Sequence, residues 1–263
     1  MFICEPLLKL SSVQKIISDS PSFSSSLCPD QMVGSFSCDG NHGFVFQNSV
    51  TTKSAGGFLR QELSSLSPTG FDGSLVLILE SPHVDEFDPQ THLPNGPAFG
   101  ETGANLNRYL MDILHDQQVF DLPQGTYRLI LMNAVQYQCS LGEKPPLYRD
   151  GIFLSCWEKQ EYRQSFCQRL QDVLERFSPC IVINCCTCGT HDQTLTGHKG
   201  APNSVFYQKM GLSPLKRGSD YSLKGRVSAE LWESFPQLDF YLLAHPSSWM
   251  YGKKNKVVTK AEK

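Results

Sequence analysis

Four short, nearly unbroken apolar runs recur along the chain: Leu75 to Leu79, Leu129 to Met132, Cys180 to Asn184 and Phe240 to Ala244. None of them alternates with polar residues, which predicts strands covered on both faces. The segments between them have a longer period. Leu106, Leu110, Ile113 and Leu114 recur at helical spacing, and so do Phe166, Leu170, Val173, Leu174 and Phe177. Ser228 to Phe235 predicts a third helix before the last run. Strand, crossover helix and strand, repeated in this way, predict an α/β fold whose parallel sheet carries helices on both faces.

The first seventy residues follow no such rhythm. Leu7 to Ser18 predicts a short helix, with a serine-rich loop after it through Ser26. Phe44-Val45-Phe46-Gln47 predicts a strand after the turn glycines Gly40 and Gly43, and Phe58 to Leu66 predicts a helix stopped near Pro68. The expected organisation is an irregular N-terminal extension, residues 1–70, packed on an α/β domain, residues 71–263. Within that domain Asn203 to Lys224 reads as a long excursion.

Composition narrows the setting. Hydrophobic residues at 40% and charged residues at 19% suit a folded core rather than disorder. The formal charge of -3 excludes a uniformly basic nucleic-acid coat but leaves room for a local basic patch. Met1-Phe2-Ile3-Cys4-Glu5-Pro6 has neither the basic start nor the apolar core of a secretory signal, and no apolar run approaches the length of a membrane span. The expectation is a cytoplasmic, monomeric protein with no membrane partner, whose ten cysteines are mostly reduced, buried thiols.

An open parallel sheet binds its ligand beyond the carboxyl ends of its strands. The first run here ends in Glu80-Ser81-Pro82-His83, the second in Asn133-Ala134-Val135, and the last in His245-Pro246-Ser247-Ser248-Trp249. A carboxylate at Glu80 suits orienting a water or offsetting positive charge, with Asp85, Glu86 and Asp88 able to share that role. An imidazole at His245 suits protonating or hydrogen-bonding a leaving group. Asn133 carries the donor and acceptor needed to read the edge of a base, and Phe99 could stack on one. Gly96 and Gly100 would let backbone approach a ligand, and Gly103 to Asn107 would start a helix offering amides to a phosphate. Trp249, Met250, Lys253 and Lys254 mix aromatic, apolar and cationic groups, as a loop gripping DNA requires.

Taken together, these segments resemble the uracil-DNA glycosylase superfamily. Leu79-Glu80-Ser81-Pro82-His83 followed by Gly96-Pro97-Ala98-Phe99-Gly100-Glu101-Thr102-Gly103-Ala104-Asn105-Leu106 is similar to the thermophile-type branch. Leu131-Met132-Asn133-Ala134-Val135 and His245-Pro246-Ser247-Ser248-Trp249 are similar to the asparagine and His-Pro-Ser segments of the uracil-specific members. The resemblance spans about Leu75 to Lys254. It implies a three-layer sandwich around a central four-stranded parallel sheet. It also implies base flipping and a monofunctional DNA glycosylase that leaves an abasic site. Glu80 and His245 would be catalytic, with Asp85 the further catalytic candidate that the residues themselves supply. Phe99, Asn133, His83 and Ser81 would hold the base. Ser247, Trp249, Met250, Lys253 and Lys254 would hold DNA, with Trp249 filling the vacated stack.

Departures from the family pattern redirect the substrate. Ser81 stands where the uracil-specific members have a water-activating aspartate, His83 where they have the tyrosine that excludes thymine's methyl group, and Leu79 where the branch has glycine. The expected substrate is therefore DNA with a modified pyrimidine, such as a glucosylated hydroxymethyl base, met in DNA repair or in antiviral defence. Cys139 and Cys156 resemble half of the branch's iron-sulfur ligands, but its early Cys-x-x-Cys pair has no counterpart, and no metal or other cofactor is expected. The alternatives are a non-catalytic DNA-binding or sensing relative and a small nucleoside or nucleotide hydrolase.

Overall fold

The apolar run that ends at Leu79 is buried along its whole length, Gly73–Leu79. Among the described residues it lies at the centre of an eight-stranded mixed sheet. The structure, a computed structural model, describes residues 23–24, 26–41, 43–48, 50, 60–117, 120, 122–142, 146–189 and 222–262. The strands are β1 (Gln31–Cys38), β2 (Phe44–Asn48), β3 (Gln61–Glu62), β4 (Gly73–Leu79), β5 (Gly125–Asn133), β6 (Cys180–Asn184), β7 (Phe240–Leu242) and β8 (Thr259–Lys260). The α-helices are α1 (Glu101–Gln117), α2 (Gly151–Trp157), α3 (Gln160–Arg176) and α4 (Leu223–Ser234).

The sheet order is β2-β1-β5-β4-β6-β7-β8, with β3 also paired to β1. Its middle four strands, β5-β4-β6-β7, are parallel, and these are the four apolar runs. β1, β2 and β8 pair antiparallel to their neighbours. Because side chains alternate along a strand, β4 splits its apolar residues between two cores. Leu75, Leu77 and Leu79 pack with Leu106, Leu110, Ile113 and Leu114 of α1. Val76 and Ile78 pack with Phe166, Leu170 and Val173 of α3 and with Leu223, Val227 and Leu231 of α4. Each such side chain contributes roughly 1.5–3 kcal/mol by leaving water. Ser222 caps α4 by accepting a hydrogen bond from the Gly225 N–H at 2.9 Å.

Several expectations are corrected. Gln31–Cys38 is a full strand against β5, so part of the expected irregular extension belongs to the sheet. A bulge between Met32 and Gly34 breaks its alternation, which hides it from a period-2 reading. Residues 61–66 form β3 and a single 3-10 turn, Leu63–Ser65, instead of a helix. One such turn already buries Leu63 and Leu66, three residues apart, and the Arg176 guanidinium holds both their carbonyls at 3.0 and 3.1 Å. α1 begins at Glu101, ahead of the expected start. A π-helical turn, Pro146–Asp150, and α2 have no counterpart among the expected elements. The expected helix at Leu7 to Ser18, Phe58 and Leu59, and the excursion up to residue 221 lie outside the described residues. Among the described residues no helix is long and apolar enough to cross a membrane.

Candidate active site

The carboxyl ends of β4, β6 and β7 open on one cleft of about 260 Å³. Glu80, Ser81, His83, Asp85, Glu86, Arg149, Thr187, His245 and Ser247 all border it. Glu80 follows β4 directly and is 4% exposed. Its Oε2 accepts the Thr187 N–H at 3.0 Å, so the exit of β6 orients a carboxylate carried by β4. Thr187 is invisible to motif reasoning because it contributes only backbone. Its sole signal is its position just past a strand.

His245 lies past β7 with Nε2 3.7 Å from Glu80 Oε2, an electrostatic contact outside hydrogen-bonding range. The Ser247 N–H donates to His245 Nδ1 at 3.2 Å, and the Ser247 hydroxyl faces the same nitrogen at 2.8 Å. A backbone N–H can only donate, so Nδ1 is bare and the neutral ring carries its proton on Nε2, toward Glu80. Burial pushes the imidazole below its ordinary pKa. Glu80 opposes that shift, while Arg149, Lys224 and His83 reinforce it. The site thus pairs a carboxylate with a neutral N–H donor.

Glu86 is the other buried acid of the cleft, 5% exposed. Its Oε1 accepts the Ala98 N–H at 2.7 Å, whereas Oε2 has no partner among the described residues. Burial pushes its carboxyl up to about 8, against the Ala98 N–H, Arg60 and the His83 backbone, with Glu80 adding to the rise. Burial therefore favours the neutral form of the Glu86 carboxyl. His83, by contrast, stands on the open rim, where its Nδ1 accepts the Asp85 N–H at 3.3 Å and lies 3.1 Å from Asp85 Oδ2. The Ser81 hydroxyl is buried without a partner among the described residues.

The remaining candidates separate from the cleft. Asn133 is fully buried and is not among the cleft residues. Its N–H donates to Asp30 Oδ1 at 3.2 Å and its carbonyl accepts from Arg169 at 3.0 Å, while Asp30 and Arg169 pair with each other. Neither atom of its side-chain amide has a partner among the described residues. Phe99 is half-buried, and the Arg60 guanidinium sits 5.5 Å from its ring centre. Gly96, at φ +111°, makes room for a side chain of the protein itself. A Cβ there would stand 2.2 Å from Gln31 Oε1.

Trp249 requires a correction. It is 0% exposed, sits in the α1-side core, and donates its indole N–H to the Ala244 carbonyl at 2.8 Å. A ring held this way cannot enter a base stack; it braces the turn that carries His245. The exposed apolar groups on that turn, Pro246–Tyr251, are Met250 and Tyr251, with Lys253 and Lys254 exposed just beyond. Arg149, whose Nε lies 2.6 Å from Asp150 Oδ1, comes from the π-helical turn, which shows no readable periodicity.

Among the described residues no group of three or more His, Cys, Asp or Glu is arranged to hold a metal ion. Cys139 and Cys156 are buried in the α3-side core. Burial also raises the Cys185 and Cys186 thiols, which suits packing better than reactivity. In comparisons with family models, curated proteins and solved structures, no match to the chain was found.

Proposed function

We propose that this cleft hydrolyses the N-glycosidic bond of a modified pyrimidine flipped out of DNA, on a uracil-DNA glycosylase-like three-layer fold. The observation that carries the reading is the Glu80–His245 pair: a buried carboxylate and a neutral Nε2–H donor 3.7 Å apart in one cleft. Four central parallel strands, with helices packed on both faces, support the fold assignment.

Breaking a glycosidic bond leaves positive charge on the sugar and negative charge on the departing base. Glu80, held by the Thr187 amide, offsets the first and orients the attacking water. His245 donates from Nε2 to a carbonyl oxygen of the base as charge gathers there. The neutral ring is the useful form, since a carbonyl of the base needs a donor and Nδ1 is already occupied by Ser247. A cleft of about 260 Å³ accepts one ring and part of its sugar, so a bulky substituent on the base would project through the open side. Met250, Tyr251, Lys253 and Lys254 extend from the same loop as His245 and suit a partner with anionic backbone and stacked bases.

The test is a panel of single- and double-stranded oligonucleotides carrying uracil, 5-hydroxymethylcytosine, its glucosylated form, hypoxanthine or an alkylated base. Released base is read by mass spectrometry and abasic sites by alkali cleavage. Release from at least one modified pyrimidine is expected. Retention of every base, with DNA still bound, would replace this reading with the non-catalytic one.

A further inference from the structure

Glu86 is not explained by the division of labour between Glu80 and His245. It borders the same cleft, is almost wholly buried, and uses only one carboxyl oxygen within the described structure. The protein holds that oxygen firmly. Ala98, which donates to it at 2.7 Å, has a positive φ of 53° despite bearing a Cβ, a conformation that persists only where the surroundings enforce it. The Glu86 carbonyl in turn accepts the Asn95 N–H at 2.7 Å, so the 86–98 loop closes on this residue at both ends.

Burial, rather than the neighbouring charges, disfavours a carboxylate at Glu86; Arg60 favours the ionised form and Glu80 opposes it more weakly. Glu80 faces it from the exit of β4, and the thiol of Cys28 lies close by, ahead of β1. Arg60 is the cation on this side, and its guanidinium donates to the Pro97 and Ala98 carbonyls. With Oε1 accepting from a backbone N–H, the proton of a neutral Glu86 belongs on Oε2, the oxygen without a partner among the described residues. A buried donor left unsatisfied loses its hydration without compensation, and a ligand acceptor would restore the missing bond.

We propose that Glu86 is the specificity-determining donor of the cleft: a neutral carboxylic acid whose Oε2–H hydrogen-bonds a carbonyl oxygen or ring nitrogen of the bound base. This rests on the glycosylase reading for its ligand, but not for its protonation state. The group selects bases that present an acceptor on that edge and rejects those that present an amino group. Its raised pKa supports the same picture, because ionisation near about 8 removes the donor and adds a negative charge beside Glu80.

Two measurements decide it. Infrared difference spectra of the wild-type protein against Glu86→Gln, with carbon-13 glutamate, report the carbonyl stretch of a protonated acid without any substrate. The band should be present at pH 7 and vanish as pH rises through about 8. Binding is then measured on duplexes carrying uracil, 5-hydroxymethylcytosine or its glucosylated form, each with a 2′-fluorine that blocks cleavage. Wild-type affinity for the preferred duplex should fall across the same pH window. Glu86→Gln, which keeps a neutral donor, should bind within about threefold of wild type and lose the pH dependence. Glu86→Leu should bind about tenfold or more weakly. A carboxylate signal at pH 7, or a Gln variant as weak as the Leu variant, overturns the proposal. If the wild type binds none of the duplexes, the glycosylase reading fails and takes the ligand assignment with it, while the infrared titration still reports whether the acid is neutral.

Discussion

β4 and β5 lie side by side, run parallel and end in register at Leu79 and Asn133, yet the chain leaving each strand meets a different fate. Past β4 the chain delivers Glu80, Ser81, His83, Asp85 and Glu86 to an open cleft. Past β5 it is tied down: Ala134 and Val135 donate to the carbonyls of Leu79 and Glu80, and Asp30 with Arg169 clamps the backbone of Asn133. Both exits carry a polar side chain, Glu80 and Asn133, so the difference comes from what covers the end. β1 and the chain ahead of it close over Asn133 itself, so that the separate cleft bordered by Ala134, Val135 and Arg169 does not reach it, whereas Glu80 borders an open cleft. A polar residue at a strand end is therefore a candidate for chemistry only where the tertiary structure leaves it a ligand-accessible side.

That contrast can be broken at its open end first. Glu80→Gln and His245→Ala should each lower single-turnover excision by about 10²–10⁴ while leaving affinity for an uncleavable duplex within about threefold. In the wild type the rate should fall as pH drops through the pKa of His245, which burial places below the ordinary 6.5, because protonation puts a second proton where the Ser247 N–H already donates. Excision at the wild-type rate by either variant would remove the pair from the reaction.

At the sealed end the expected effect is on folding. Asp30→Ala leaves Arg169 without its partner and exposes the clamp on Asn133. It should cost about 3 kcal/mol, read as a lower urea midpoint at unchanged slope. The cost sits at the low end of the range for a broken buried pair because the Arg169 side chain keeps 21% of its exposure. An unchanged midpoint would mean that β1 and β5 hold the exit closed without the ion pair.

The smallest effect is also the sharpest comparison. Asn133→Leu replaces a buried amide, which has no partner among the described residues, by an apolar group of similar size, so stability should hold or rise by about 1 kcal/mol. Excision should fall by less than about tenfold. A hundredfold loss with folding intact would show that the β5 exit opens to receive the base, and would restore Asn133 as a reader of its edge.

Much of this is readable in one dimension. Leu75 to Leu79, Leu129 to Met132, Cys180 to Asn184 and Phe240 to Ala244 announce buried strands because their apolar residues are contiguous, and the spacing of Leu106, Leu110 and Ile113 announces a helix. Glu80 and His245 can be picked out because a charged or imidazole group directly after such a run is costly to leave without purpose. β1 cannot, since Gly34, Ser35 and Ser37 interrupt it and a bulge shifts its register. Thr187 cannot either, because a backbone amide carries no residue signature.

The sequence by itself thus determined the period of the four central strands and of the helices α1, α3 and α4, the α/β class and two of the acids and bases that meet. Tertiary structure alone decided which of them meet, which nitrogen of His245 accepts the Ser247 N–H, and how deeply Glu86 is buried. It also turned Trp249 inward to the core and left Met250 in water, although the two are neighbours in the chain. The physical reason is common to all of these. Periodicity is a property of adjacent residues, whereas burial, and the proton affinity it brings, depends on segments distant in the chain: Thr187 closes on Glu80, Ala98 on Glu86, and Asp30 with Arg169 on Asn133.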